Sequence, residues 1–293
     1  MMRSPNGDSV QIAREYMDSL LVESRIIGAE KPSTQFSFLG ETFDTPIMTA
    51  ALSHLDLVGM AQGAQMAHAP VSIGMGGNEE LGRVLETKAK VMKIIKPYAD
   101  PGEVFSRMEY AFSHGAIAVG MDVEHAVNVE DAEDSLVAGF QMKLPTLKEL
   151  GAFVSASSLP FFVKGALSVS DALRCRDLGC RGVILSHHNG LMRWAVPPVM
   201  ALPAIRRAVG EDLLIIVDGG IESGFDAFKA LALGADAVTV GKKLMGPLKE
   251  NGAQGVCDTL RAMTRQLQAM MIRTGTKDLK HMDPSVIWGV QDR

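Results

Sequence analysis

The stretch LLIIVDGGIESGFDAFKALALGADAVTVGK, residues 213–242, reads as strand, helix, strand. Its two apolar runs, LLIIVD (213–218) and DAVTVG (236–241), are short and rich in β-branched residues. Near-continuous hydrophobicity of that kind suits strands covered on both faces, as in a parallel sheet. Between them, SGFDAFKALALGA repeats apolar residues three and four apart and opens on Ser223, a helix-capping residue type. Both strands end at glycines, Gly219 and Gly220 after the first and Gly241 after the second. Backbone N–H groups approach an anion closely at such places, and Lys242 adds charge. The competing use of these glycines is turn geometry alone.

Six further runs of the same character precede this unit: TPIMTAA (45–51), APVSIG (69–74), VMKIIK (91–96), AIAVGMD (116–122), LPFFVK (159–164) and RGVILS (181–186). The segments between them begin with first-turn or capping residues, among them Asp56, Pro101 and Ser168 or Ser170. Eight strands alternating with helices in a chain of 293 residues predict an α/β fold, a (β/α)8 TIM barrel with a short N-terminal helical extension. The barrel is expected as a single domain over 1–293, with 1–35 as the extension. Periodicity does not show closure, so a doubly wound open sheet is the alternative. The longest connection, roughly 123–145, follows the fourth strand and would lie over the catalytic face as a lid or a plain surface excursion.

With 47% hydrophobic residues the chain buries a large core. Net charge is −5 and no basic block interleaves with aromatics, which excludes a nucleic-acid binder of the usual kind. No run reaches the roughly 18 to 20 apolar residues of a membrane span. The opening MMRSPNGDSVQIAREYMDSL lacks the apolar core of a signal peptide, so a cytoplasmic protein acting on a small molecule is expected. Cys175, Cys180 and Cys257 have no metal-like spacing and read as free buried thiols, with no metal site.

Barrel chemistry gathers at the C-terminal ends of the strands. There the sequence places Ser53 and His54, Ser72 and Gly74, Lys96, Asp122, Lys164, residues 186–190, residues 218–220 and residues 241–243. Lys164 suits an anionic ligand group or a reduced flavin ring. Asp122 either orients a base or caps the following loop. The segment VILSHHNGLMRW (183–194) adds two adjacent histidines, a residue type whose ordinary pKa suits acid/base work. His54, His68, His114, His125 and His281 read as surface or internally satisfied, His54 being of interest because it follows the first strand.

From FLGETFDTPIMTAAL (38–52) to the C-terminal helix, the chain resembles the FMN-dependent α-hydroxy-acid oxidases and dehydrogenases. Residues 218–242 are similar to IMP dehydrogenase and glutamate synthase as well. The order PIM, VKG, S-x-H, DGG and GK discriminates. The resemblance implies FMN as cofactor, a homotetramer or larger assembly, and oxidation of a small anionic hydroxy acid with hydride transfer to flavin N5. It places His188 on the catalytic base, Asp122 on the aspartate supporting it, and Lys164 on the lysine beside flavin N1/O2. The cofactor-binding set it implies is Ala51, Leu52, Ser53, Ser72, Lys164, Ser186, Asp218, Gly219, Gly220, Gly241 and Lys242.

Three departures stand out. The family's Ser-Asn-His-Gly-Gly-Arg is met by Ser186, His187, His188, Asn189, Gly190 and Leu191, so the carboxylate-gripping arginine is missing. Its Gln-x-Tyr on the third strand is Ile94, Ile95, Lys96, and Glu222 stands where an arginine often helps hold phosphate. Leu cannot supply bidentate recognition. Substrate binding is therefore expected from Lys96 and Arg193, with His188. A non-redox isomerase or lyase resembling type 2 isopentenyl diphosphate isomerase, and a non-catalytic barrel holding a phosphorylated ligand, are the competing readings.

Overall fold

Eight parallel strands form one sheet: β1 (Ile47–Thr49), β2 (Val71–Ile73), β3 (Val91–Ile95), β4 (Ala118–Asp122), β5 (Phe161–Lys164), β6 (Gly182–Leu185), β7 (Leu214–Asp218) and β8 (Ala237–Val240). They come from a computed structural model that describes residues 6–127 and 135–289. The order is β1-β8-β7-β6-β5-β4-β3-β2. The remaining seam, β1 to β2, is held by a parallel bridge between Leu52 and Ile73 and by a Gly74 N–H donating to the Leu52 carbonyl at 2.9 Å. The sheet thus turns back on itself, and the open-sheet alternative falls. Every strand lies within one of the eight apolar runs.

Alternation sorts the strand residues into two shells. Met48, Met92, Ile94, Ala118, Phe162, Ile184 and Ile216 pack together inside the barrel. Ile47, Val71, Val91, Val119, Val163, Val183, Ile215 and Val238 belong to the larger cluster shared with the helices. Phe38, from a hairpin of Phe36–Phe38 with Glu41–Phe43, packs against Phe162 with ring centroids 6.1 Å apart.

The helices start where capping chemistry predicts. Asp56 caps α2 (Leu57–Met66), Asp100 with Pro101 at N1 opens α4 (Pro101–Ser113), Ser168 caps α6 (Val169–Asp177) and Ser223 caps α8 (Gly224–Ala232). In each of the four the cap side chain accepts a backbone N–H of the first turn. Between them lie α3 (Asn78–Glu86), α5 (Leu147–Ala156) and α7 (Pro198–Val209); α9 (Lys242–Arg273) follows β8 and is broken at Gly252.

Within 1–35 the helical part is α1 (Ser9–Ser19); Leu21–Val22 then pairs antiparallel with Ile287–Trp288. Helix α1 is tied to the loop after β6 and to α8. Ser9 Oγ donates to the Met192 carbonyl at 2.6 Å, Arg14 pairs with Asp226 at 2.9 Å, and Lys229 Nζ donates to the Met17 carbonyl at 2.7 Å. In the 123–145 connection, a 3-10 turn (Val123–Ala126) leads on from β4, and Leu136–Val137 pairs with Phe140–Gln141. Residues 128–134 of the expected lid lie outside the described residues. The three cysteines are buried and unpaired, and among the described residues no helix is long and apolar enough to cross a membrane.

Candidate active site

The inward register that places Ile94, Phe162, Ile184 and Ile216 in the barrel core carries two residues further to Lys96, Lys164, Ser186 and Asp218. On β4 it carries Ala118 to Asp122. Five polar side chains therefore converge where the apolar interior ends. Lys164 is their hub, 4% exposed. Its Nζ lies 3.0 Å from Ser186 Oγ, 3.3 Å from an Asp218 oxygen and 3.9 Å from Asp122 Oδ2. Lys96 Nζ donates to Asp122 Oδ2 at 2.8 Å. Asp218 also accepts from Ser186 Oγ at 2.8 Å and Thr239 Oγ1 at 2.6 Å. Two ammonium groups thus balance two carboxylates in a nearly dry setting, where leaving either charge alone is costly.

That pairing sets the ionisation states. Burial pushes the Asp122 carboxyl up, but Lys164, the His188 hydrogen bond and Lys96 together hold it far below the usual range. Burial opposes the Asp218 anion as well, yet Lys164, Thr239 and Ser186 keep it ionised. Burial works against the Lys164 ammonium, and Asp218 and Asp122 outweigh it. Lys96 keeps a net downward shift from burial, only partly offset by Asp122.

His188 stands over this cluster on a left-handed turn, with φ of 45° at His188, 58° at Asn189 and 89° at Gly190. Non-glycine residues rarely hold such values, and the conformation is fixed by hydrogen bonds. The His188 N–H donates to Ser186 Oγ at 2.9 Å, and the Gly190 N–H donates to the His187 carbonyl at 2.8 Å and reaches His187 Nδ1 at 3.1 Å. His188 Nδ1 lies 2.9 Å from Asp122 Oδ2, so Nδ1 carries the proton and Nε2 keeps its lone pair. Lys164 Nζ is 3.2 Å from the same nitrogen, but its protons have better acceptors in Ser186 and Asp218. Burial lowers the His188 pKa against the pull of Asp122, which leaves a neutral base at neutral pH.

The neighbouring His187 is 2% exposed. Because its Nδ1 accepts from Gly190, its Nε2 bears the hydrogen, and that atom is buried without a protein partner. His187, His188 and Lys164 line a cavity of about 340 Å³ that extends past residues 50–52, 218–222, 241 and 242, with Val10 and Arg14 of α1 at its rim. A larger cavity of about 470 Å³, lined by His54, Arg83, Tyr98, Arg107 and Phe140, holds none of the clustered groups.

Of the residues expected from sequence, His188, Asp122, Lys164, Lys96, Ser186 and Asp218 meet in one network. Ala51, Leu52, Gly219, Gly220, Gly241 and Lys242 line the adjoining cavity. Ser72 is buried beside Thr49, its Oγ without a partner, while Ser53 lies off the cavity lining. Arg193 does not join the site. The left-handed turn carries the chain outward, and Arg193 is exposed, its Nη1 3.4 Å from the Asn6 carbonyl.

Two further residues belong to the cluster: His125, read from the sequence as a surface or internally satisfied histidine, and Glu124, which the sequence did not single out. The 3-10 turn after β4 brings His125 Nε2 to 2.5 Å from His188 Nε2. It also seats Glu124 against Gly165, with one carboxyl oxygen buried and unpartnered. Burial, with Lys96 and His188 adding to it, pushes His125 down to about 4. Burial chiefly pushes Glu124 up to about 8, against Lys164 and with Asp122 and Asp218. Asp122, His125 and His188 each place a ligand-type atom within 4.8 Å of the others, but the ammonium groups of Lys96 and Lys164 on that carboxylate oppose a cation.

The two shifted groups predict a pH dependence. Between about pH 4 and 6.5 the unfolded chain protonates His125 and the folded chain does not, so His125 makes stability rise with pH. Between about pH 4.5 and 8 the folded chain holds a proton on Glu124 that the unfolded chain has lost, so Glu124 makes stability fall with pH. Only the second effect persists above pH 6.5. Urea unfolding should show stability declining from about pH 6.5 to 8 in the native protein and a flatter profile in Glu124→Gln. An unchanged decline in the variant contradicts the assignment.

A family model described as FMN-dependent dehydrogenase matches residues 129–289, more than half of the chain. An L-lactate oxidase from Roseobacter sp. (strain GAI101) is 36% identical over 55% of this chain and 44% of its own length. An L-lactate oxidase from Lactobacillus jensenii is 28% identical over 90% of this chain and 74% of its own. A solved structure of a mandelate oxidase variant with a monooxide FMN adduct has 25% identity and a TM-score of 0.85, covering 95% of this chain and 90% of that one. The first of these matches spans less than half of the relative.

Proposed function

Since the chain belongs to the FMN-dependent dehydrogenase family, we propose that it binds FMN in the cavity beside Lys164 and oxidises a small 2-hydroxy acid, with His188 as the base. The observation that carries this reading is the Asp122–His188 pair held over Lys164 at the wall of that cavity. A ligand-holding barrel without catalysis has no use for a buried carboxylate that fixes a histidine tautomer. The relatives and the neighbour above are named oxidases, which weighs against the isomerase reading too.

The residues present fit the cofactor. Among the described residues, His187 Nε2 at the cavity wall is a buried donor without a protein partner, as expected of a group that hydrogen-bonds a polar ligand. Gly219 and Gly220, with φ of 100° and 76°, hold a backbone shape that exposes amides to an anion, and Lys242 lies near them on the lining. Glu222 is exposed and its N–H is spent on Asp226, so its carboxylate has solvent to turn into. Residues 219–220 and 241–242 would hold the phosphate, and Lys164 the N1/O2 edge of the ring.

FMN, when bound, supplies the hydride acceptor. The chain's own part is proton management. Asp122 keeps the hydrogen of His188 on Nδ1, and the lone pair on Nε2 takes the substrate's hydroxyl proton as the C2 hydrogen leaves with its electron pair, giving the 2-oxo acid. Asp122 then stabilises the imidazolium. A homo-oligomer, tetramer or larger, in the cytoplasm and the closing of residues 123–145 over the site are parts of the same proposal.

Thermal melting with added FMN tests the binding step. FMN should raise the melting temperature in a concentration-dependent way and riboflavin, lacking the phosphate, less so. Equal shifts from the two would contradict the phosphate-site assignment, and no shift from either would contradict the cofactor.

A further inference from the structure

The carboxylate of a 2-hydroxy acid needs a partner, and the obvious cations are committed. Lys96 is bound to Asp122, Lys164 to Asp218 and Ser186, Leu191 has no donor, and Arg193 faces away. Among the described residues, the group hydrogen-bonded to the basic nitrogen of His188 is His125 Nε2. Asp122 fixes the proton of His188 on Nδ1, so His188 Nε2 can only accept, and His125 Nε2 must be the donor. The free site therefore presents an acceptor and a donor side by side, satisfying each other.

A 2-hydroxy acid is the complement of that pair. Its hydroxyl O–H is a donor and its carboxylate an acceptor, one carbon–carbon bond apart. We propose that His125 is the substrate-binding residue that stands in for the missing arginine: the substrate enters between the two imidazoles, giving its hydroxyl hydrogen to His188 Nε2 and receiving the His125 Nε2–H on its carboxylate. One imidazole–imidazole bond is exchanged for two bonds to the ligand, the second of them charge-assisted. The charged groups around His125 are Lys96, Lys164 and Asp122, with His188 opposite. Burial, with the two ammonium groups adding to it, keeps His125 neutral, and those ammonium groups lend a positive potential to its surroundings. Its backbone is held from the lid side, where Ser135 Oγ donates to the His125 carbonyl, so the donor is positioned by the same loop that follows β4.

This inference rests on the proposed hydroxy-acid reading and is tested with a ligand that cannot react. 2-Hydroxyisobutyrate has the hydroxyl and the carboxylate but no hydrogen on C2; its amide is the uncharged control. Calorimetric titration into FMN-loaded protein should show the acid binding more tightly than the amide. His125→Phe should weaken the acid by roughly ten- to a hundredfold and the amide far less, the range for a hydrogen bond to a charged group. His125→Gln, which keeps an amide N–H, should bind the acid within a few-fold of the native protein, and Leu191→Arg should restore acid binding to His125→Phe.

Unchanged acid binding in His125→Phe overturns the proposal. So does equal loss of acid and amide, the mark of a residue that merely positions His188. If His125→Phe does not fold, folded His125→Gln decides: loss of acid binding there is equally fatal. FMN retention is read separately from the yellow absorbance, so a failure of the cofactor reading is seen as a colourless protein, with the heat of acid binding still measurable.

Discussion

Replacing His188 by alanine lowers turnover by about 10²- to 10⁴-fold while FMN stays bound, the range by which a positioned general base accelerates proton transfer. The confinement of the effect to turnover follows from the network. Asp122 loses the His188 N–H but keeps Lys96 at 2.8 Å, and the Lys164 contacts to Ser186 and Asp218 do not involve the imidazole. Alanine also inherits the φ of 45° already present, a strain that native His188 bears as well. Steady-state kinetics with FMN content measured on the same sample check this. Turnover within tenfold of the native protein would show that another group takes the proton.

Lys164→Met has the larger effect on stability. The substitution keeps most of the side chain's bulk and removes an ammonium that reaches both carboxylates. Asp122 retains Lys96, but Asp218 is left with only the hydroxyls of Ser186 and Thr239. Breaking a buried ion pair from one side costs about 3–5 kcal/mol because the remaining charge is uncompensated. Urea unfolding measures the loss. Lys164→Met combined with Asp218→Asn should recover much of it, since the orphaned charge is then gone. A single variant within about 1 kcal/mol of the native protein would mean that solvent reaches the cluster.

The barrel was legible because its strands are covered on both faces. A run such as RGVILS or LLIIVD has no polar face to confuse its reading, and capping residues such as Asp56, Ser168 and Ser223 mark the helix starts. Asp122 and Lys164 stood out as polar residues closing apolar strands, and the family resemblance placed His188 beside them. His125 and Glu124 did not stand out. They lie beyond the strand on a 3-10 turn, where alternation no longer tells which way a side chain points. Arg193 failed in the opposite sense. It was expected as a cation replacing the missing arginine, but three successive left-handed residues turn the backbone away, and Arg193 reaches the Asn6 carbonyl ahead of α1. Nothing in the sequence separates the donor role of His187 from that of its neighbour; it follows from the Gly190 N–H that its Nδ1 accepts, which leaves Nε2–H at the cavity wall without a partner among the described residues.

Anaerobic mixing of the FMN-loaded protein with L-lactate, glycolate and L-mandelate tests whether the site oxidises 2-hydroxy acids. At least one of these 2-hydroxy acids should bleach the yellow absorbance of the bound flavin and release an equivalent of the matching 2-oxo acid, and His188→Ala should slow that bleaching. A protein that holds FMN firmly yet stays yellow with all three would contradict the account.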